Sequence, residues 1–233
     1  MASRLASPLA RLGARPAAPY TAPFLTLLAV MGFTSYLLPL PAAVAYPLRT
    51  LAVFAVWLLV SRKLLGFRPS RPRTGILLGA AVFALWIAPD LVWPGYRDHW
   101  LFHNSVTGAA SSSASPAAQS DPVFLFFRIA GSVLLVPVVE ELFWRGWAIR
   151  WLMARDFSSV PLGAYSARAF LISALLFAAE HGPYWDVGLA AGLAYNWWIV
   201  RTRNLADCIL AHAVTNACLA AYVLAAGQWQ YWM

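Results

Sequence analysis

The chain has 233 residues, of which 61% are hydrophobic and only 11% charged, and its mean hydropathy is +0.63. So apolar a composition excludes an ordinary soluble domain and points to a protein that lives in a bilayer. The net charge of +8 would suit a nucleic-acid partner, but the basic residues are spread through short loops rather than gathered on one face, so no nucleic acid is expected.

Seven stretches approach the roughly 20 apolar residues that a spanning helix needs. The expected fold is all-α, a polytopic transmembrane helix bundle of about seven spans. Residues 1–22 form a basic leader carrying Arg4, Arg11 and Arg15. The first spans are expected over 23–46, 48–66 and 75–93, with Arg62, Lys63, Arg68, Arg71 and Arg73 between the second and third. The apolar run from Phe24 to Leu38 followed by Ala43-Val44-Ala45 also has the layout of a cleavable signal peptide. The long, proline-rich leader and the immediate further spans favour a retained helix.

After a membrane region ending at 103 comes a small, polar stretch over 104–122, which cannot bury enough apolar surface to fold alone and reads as a flexible external loop. His99 and His103 are four apart beside Asp98, a pattern open to a metal, but in a segment rich in Trp and Pro they read as interfacial, as the Trp86, Trp93 and Trp100 series reads as interface anchoring. Four more spans are expected over 123–144, 168–182, 184–200 and 205–226, with a tail over 227–233. Arg145, Arg150, Arg155 and Arg168 separate the fourth and fifth, and Arg201 and Arg203 the sixth and seventh. By the positive-inside rule the N-terminus is cytoplasmic, and the chain is a multi-pass protein of the inner (plasma) membrane. Cys208 and Cys218 are ten positions apart on one expected helix, too far to bridge each other.

Ionisable residues inside such spans are costly and mark function by default. Glu140 and Glu141 are adjacent on the fourth span. Glu141 and Arg145, four apart, share a face and can pair, while Glu140 points about 100 degrees away. The fifth span ends in Phe177-Ala178-Ala179-Glu180-His181 before the helix stop Gly182-Pro183. Glu180 does not share the face of His181 and is secondary. The seventh span carries His212 and Asn216 one turn apart, and Asn196 on the sixth is suited either to line a cavity or to bond a neighbouring helix. Two carboxylates, two histidines and an asparagine on three helices are most simply one shared site.

At these residues the chain resembles the CAAX prenyl protease and bacteriocin-processing family, whose motifs EExxxR, FxxxH and HxxxN are matched in order by Glu140-Glu141-x-x-x-Arg145, Phe177-x-x-x-His181 and His212-x-x-x-Asn216. The likeness covers about residues 123–226 and is fainter over the first three spans, which are similar to an exosortase-associated, CAAX protease-related branch. It implies an intramembrane endopeptidase acting on a membrane-associated protein or peptide. Glu140 would be the general base with His181 its partner, His212 and Asn216 would form the oxyanion site, and Glu141, Arg145 and Phe177 would support them. No cofactor is implied. The alternative mechanism is a zinc site, with Glu140, His181 and His212 as a His2Glu ligand set, although no HExxH is present. A different class of protein, a non-catalytic adaptor or transporter, would use the same helices for binding or proton relay.

Overall fold

The computed structural model describes residues 16–112 and 114–232. The basic cluster Arg4, Arg11 and Arg15 lies outside them. Among the described residues, seven helices of more than three turns follow one another: α1 (Ala18–Gly32), α2 (Ala42–Val56), α3 (Pro72–Val92), α4 (Pro122–Trp151), α5 (Ala167–Ala179), α6 (Trp185–Thr202) and α7 (Leu205–Ala226). With the π turns that extend α1 to Leu37 and α2 beyond Val56, five of them are long and apolar enough to cross a bilayer: α1, α2, α3, α4 and α7. The protein is a multi-pass helical bundle.

The first two spans divide earlier than expected. Pro39 and Pro41 lack the N–H that a continuing helix requires and push the residues before them toward extended backbone. Leu38 accordingly has φ −137° and α2 starts at Ala42, with Pro41 at its N-cap. Pro47, expected at a boundary, lies inside α2.

The fourth span, expected over 123–144, runs to Trp151. Its Asp121 side chain caps the backbone N–H groups of Val123 and Phe124, satisfying donors that a helix start leaves open. It is not a regular helix, because π turns interrupt it at Gly131–Leu135 and Leu142–Ala148. The first precedes Pro137, whose missing donor a π turn accommodates.

The fifth and sixth helices depart most from a simple span. With 13 residues, α5 is about 20 Å long, well short of the ~30 Å hydrocarbon core. It stops at Ala179, Gly182 takes φ +52°, and one 3-10 turn over Gly182–Tyr184 reverses the chain into α6. The two form a tight hairpin in which small residues permit close approach. A Cβ on Gly192 would lie 3.2 Å from the Ala174 backbone and the Phe177 ring.

The most extensive packing between helices is that of α7 on α3, where a Cβ on Gly79 would collide with the Ala211 carbonyl. The segment read as a loop over 104–122 holds a one-turn helix, Pro116–Gln119, capped by the Ser115 hydroxyl. Ala114 and Ala118 are buried beside Phe124 and Tyr231.

Candidate active site

The residues singled out by their polarity converge where α4, the α5–α6 hairpin and α7 meet. A cavity of roughly 210 Å³ is lined by Glu140, His181, His212 and Asn216, together with Trp86, Tyr195 and Thr215.

Behind its wall the ion pair expected from the i,i+4 spacing is present. Arg145 donates from Nη1 to Glu141 Oε1 at 3.0 Å, and both side chains are fully buried. A buried pair is retained only when its remaining polar groups find partners. Arg145 finds several: Nε donates to Asn196 Oδ1 at 3.0 Å and Nη2 to the Gly192 carbonyl at 3.2 Å. Its guanidinium also lies 4.6 Å from the centre of the Phe177 ring. Asn196 in turn donates to the Phe170 carbonyl and the Ser173 hydroxyl, so one arginine ties α4 to both arms of the hairpin.

The same Glu141 oxygen reaches α7, where it stands 3.0 Å from His212 Nδ1. A carboxylate paired with arginine can only accept, so His212 donates from Nδ1. Its Nε2 then faces the other glutamate, at 4.0 Å from Glu140 Oε2. The imidazole is held flat by the Tyr195 ring, stacked at 5.1 Å. The Tyr195 hydroxyl donates to Thr215 Oγ1 at 2.7 Å, and Thr215 is within 2.8 Å of the Gly79 carbonyl.

His181 follows the same logic with a different acceptor. Its Nδ1 is 2.7 Å from the Phe177 carbonyl one turn back, and since a carbonyl only accepts, Nδ1 carries the hydrogen and Nε2 is left as a lone pair. The Phe177 ring packs against His181, His212 and Trp144. The FxxxH spacing therefore supplies both a backbone acceptor and an aromatic floor. Trp86, expected at the membrane interface, instead meets His181 edge-on at 5.3 Å and walls the cavity.

Asn216 donates from Nδ2 to the Ser132 carbonyl at 2.7 Å, in the first π turn of α4, which frees carbonyls from the regular i→i−4 ladder. Glu180 accepts from Trp144 Nε1 at 2.8 Å and bridges α5 to α4. The Oε2 atoms of Glu140 and Glu141 are both buried with no hydrogen-bond partner among the described residues, but only Glu140 lines the cavity. Among the described residues no group of three or more His, Cys, Asp or Glu side chains is spaced to hold a metal ion.

Sequence reasoning missed Trp86, Tyr195, Thr215 and Arg128, all of which line the cavity. Tyr195 and Thr215 were within reach, since each is adjacent to a residue already chosen for its polarity.

Residues 122–218 match the family model described as type II CAAX prenyl endopeptidase Rce1-like. No curated protein and no solved structure matches the chain.

Proposed function

We propose that this protein is a membrane-embedded endopeptidase that hydrolyses a peptide bond of a membrane-associated protein or peptide, with Glu140 as the base that activates water. The observation that carries the reading is the single cavity shared by Glu140, His181, His212 and Asn216, with Glu140 Oε2 free of hydrogen bonds and 4.0 Å from His212 Nε2. A transporter or adaptor would have no use for two hydrogen-bonding side chains on α7 facing a carboxylate across a cavity.

In this reading the Glu140 carboxylate removes a proton from water as its oxygen attacks the carbonyl carbon. The lone pair on His181 Nε2 accepts the second water hydrogen and fixes the angle of attack. Negative charge then builds on the carbonyl oxygen, which faces His212 Nε2 and the Asn216 amide. His212 already donates from Nδ1, so only its doubly protonated form also donates from Nε2, and Glu141 is the counter-ion that supports that form. As the intermediate collapses, the C–N bond breaks and the proton held by Glu140 passes to the leaving amine. Arg145 touches no substrate and acts by holding Glu141.

The reaction is read as metal-free, and the chain as lying in the inner membrane with a cytoplasmic N-terminus. The organisation proposed is a catalytic region over 123–226 preceded by a three-helix membrane region. The deciding experiment is cleavage by the purified protein in nanodiscs of peptides drawn from the cell's membrane fraction. Glu140→Gln, His181→Ala and Asn216→Ala should each remove cleavage while the protein stays folded. Cleavage surviving all three would overturn the assignment, and loss of transport or complex formation alone would support the adaptor.

A further inference from the structure

The residues that follow α7 lie outside the helices of the bundle, yet they complete the cavity of the candidate active site. Gly227 ends α7 with φ +65°, in the left-handed region that glycine enters without strain. The chain then passes through one 3-10 turn, Trp229–Tyr231. Tyr231 and Trp232 line the cavity and are only 7% and 3% exposed. Every other lining residue belongs to α3, α4, α7 or the α5–α6 hairpin.

Side-chain hydrogen bonds hold this segment to the bundle. The Tyr231 hydroxyl donates to Asp90 Oδ2 at 2.7 Å, and the Tyr184 hydroxyl to the Gln230 carbonyl at 3.2 Å. The Arg128 guanidinium lies 5.2 Å from the centre of the Trp232 ring. Asp90 does not depend on Tyr231 for a counter-ion, because its Oδ1 accepts from Arg97 Nε at 3.0 Å. Arg97 Nη1 in turn donates to Asp186 and to the Pro183 carbonyl, in the turn that follows His181. When the Tyr231 hydroxyl withdraws, Asp90 keeps its arginine and the turn keeps its brace, so the segment can leave without stranding a buried charge. The helices cannot part so easily, since α3 meets α7 at Gly79 and α5 meets α6 at Gly192 through backbone contact.

The closed cavity is too small for its proposed substrate. Its volume of roughly 210 Å³ lies below the ~300 Å³ at which pockets for small ligands begin, and a peptide bond with residues on both sides needs more. We infer that residues 227–232 form a lid, hinged at Gly227 and latched by Tyr231 on Asp90, which closes the catalytic cavity and is displaced by the peptide on binding. This inference deepens the protease reading and rests on it for the identity of the occupant. A closed lid lowers apparent affinity by the factor that separates the closed from the open population. Loss of one hydrogen bond to a carboxylate shifts such a balance about tenfold.

The test uses the full-length protein in nanodiscs, a membrane-fraction peptide that wild type cleaves, and amide hydrogen exchange read by mass spectrometry. Tyr231→Phe keeps the ring and loses the latch, and should lower KM about tenfold with kcat little changed. Peptide bound to the inactive Glu140→Gln protein should speed exchange of the 228–232 amides at least about fivefold while those of α7 stay protected. An equal or higher KM in Tyr231→Phe would make the segment a fixed wall, and unchanged exchange on peptide binding would mean that it stays shut. Either result overturns the lid and leaves the protease intact.

If wild type cleaves nothing, the protease reading fails, and the lid is judged in the free protein. There Tyr231→Phe should speed exchange of the 228–232 amides about tenfold and leave α7 unchanged. Exchange that keeps the wild-type rate, or that rises only together with α7, would show one rigid unit and overturn the lid.

Discussion

His212 Nδ1 stands 3.0 Å from Glu141 Oε1, the same oxygen that receives Arg145. One carboxylate oxygen thus serves as counter-ion to an arginine on its own helix and as orienting partner to an imidazole on another. The two adjacent glutamates consequently differ in kind: Glu141 is fully buried and receives two partners at Oε1, whereas Glu140 lines the cavity.

That difference sets the first prediction. Glu140→Gln should reduce kcat by at least about 1,000-fold with little loss of stability, because base catalysis and water orientation are both removed. Glu141→Gln should lower stability by about 3–5 kcal/mol, since it leaves the buried Arg145 charge uncompensated. Thermal unfolding in detergent beside single-turnover cleavage separates the two; equal effects on both readouts would refute the division.

Asn216→Ala should lower kcat by about 100 to 1,000-fold with KM less affected, the usual signature of a lost oxyanion donor. Asn216→Asp keeps the size but replaces the donating amide by an acceptor, and should be no better. A variant in which KM alone rises would mean that the hydrogen bond to Ser132 positions the helix and nothing more.

Thr215→Val should cost more than Tyr195→Phe. The valine leaves the buried Tyr195 hydroxyl and the Gly79 carbonyl without the Thr215 hydroxyl they share, at about 1–3 kcal/mol. The phenylalanine removes one donor but keeps the ring stacked on His212. The order of melting temperatures checks this.

Gly79→Ala should destabilise the bundle and impair cleavage together, because the added methyl meets the Ala211 carbonyl and the Val214 side chain, and backbone cannot yield as a flexible side chain would. A well-folded, fully active Gly79→Ala protein would show that α3 and α7 shift apart at no cost.

Cleavage should survive prolonged dialysis against a chelator, with elemental analysis showing less than one zinc per ten molecules. Loss of activity on chelation, restored by added zinc, would instead make Glu140, His181 and His212 ligands.

Much of this was legible in the sequence because polarity within apolar runs is itself a signal. Glu141 and Arg145 could be paired from spacing alone, and His181, His212 and Asn216 picked out by their isolation in hydrocarbon, whereas Phe177 came only from the family motif it matches. The partners that complete the site carry a weaker signal. Tyr195, Trp86 and Thr215 are ordinary residues of apolar helices, and only the packing of α3, α6 and α7 brings them together. The place of His181 in the cavity was equally hidden, since it depends on α5 stopping short and turning at Gly182. The first break was misjudged because Pro39 and Pro41 lie within a run whose hydropathy alone suggests continuity.

The π turn over Leu142–Ala148 carries a further consequence. A wide turn takes up more residues than an α turn without changing the ends it joins, so α4 behaves there like a spring with one coil too many. Removing a single residue from this stretch would let the helix close into a regular ladder, a locally more favourable state. It would also swing Trp144 and Arg145 about 100 degrees away from α5 and α6. The most stable form of this segment taken by itself is thus not the form that the site requires.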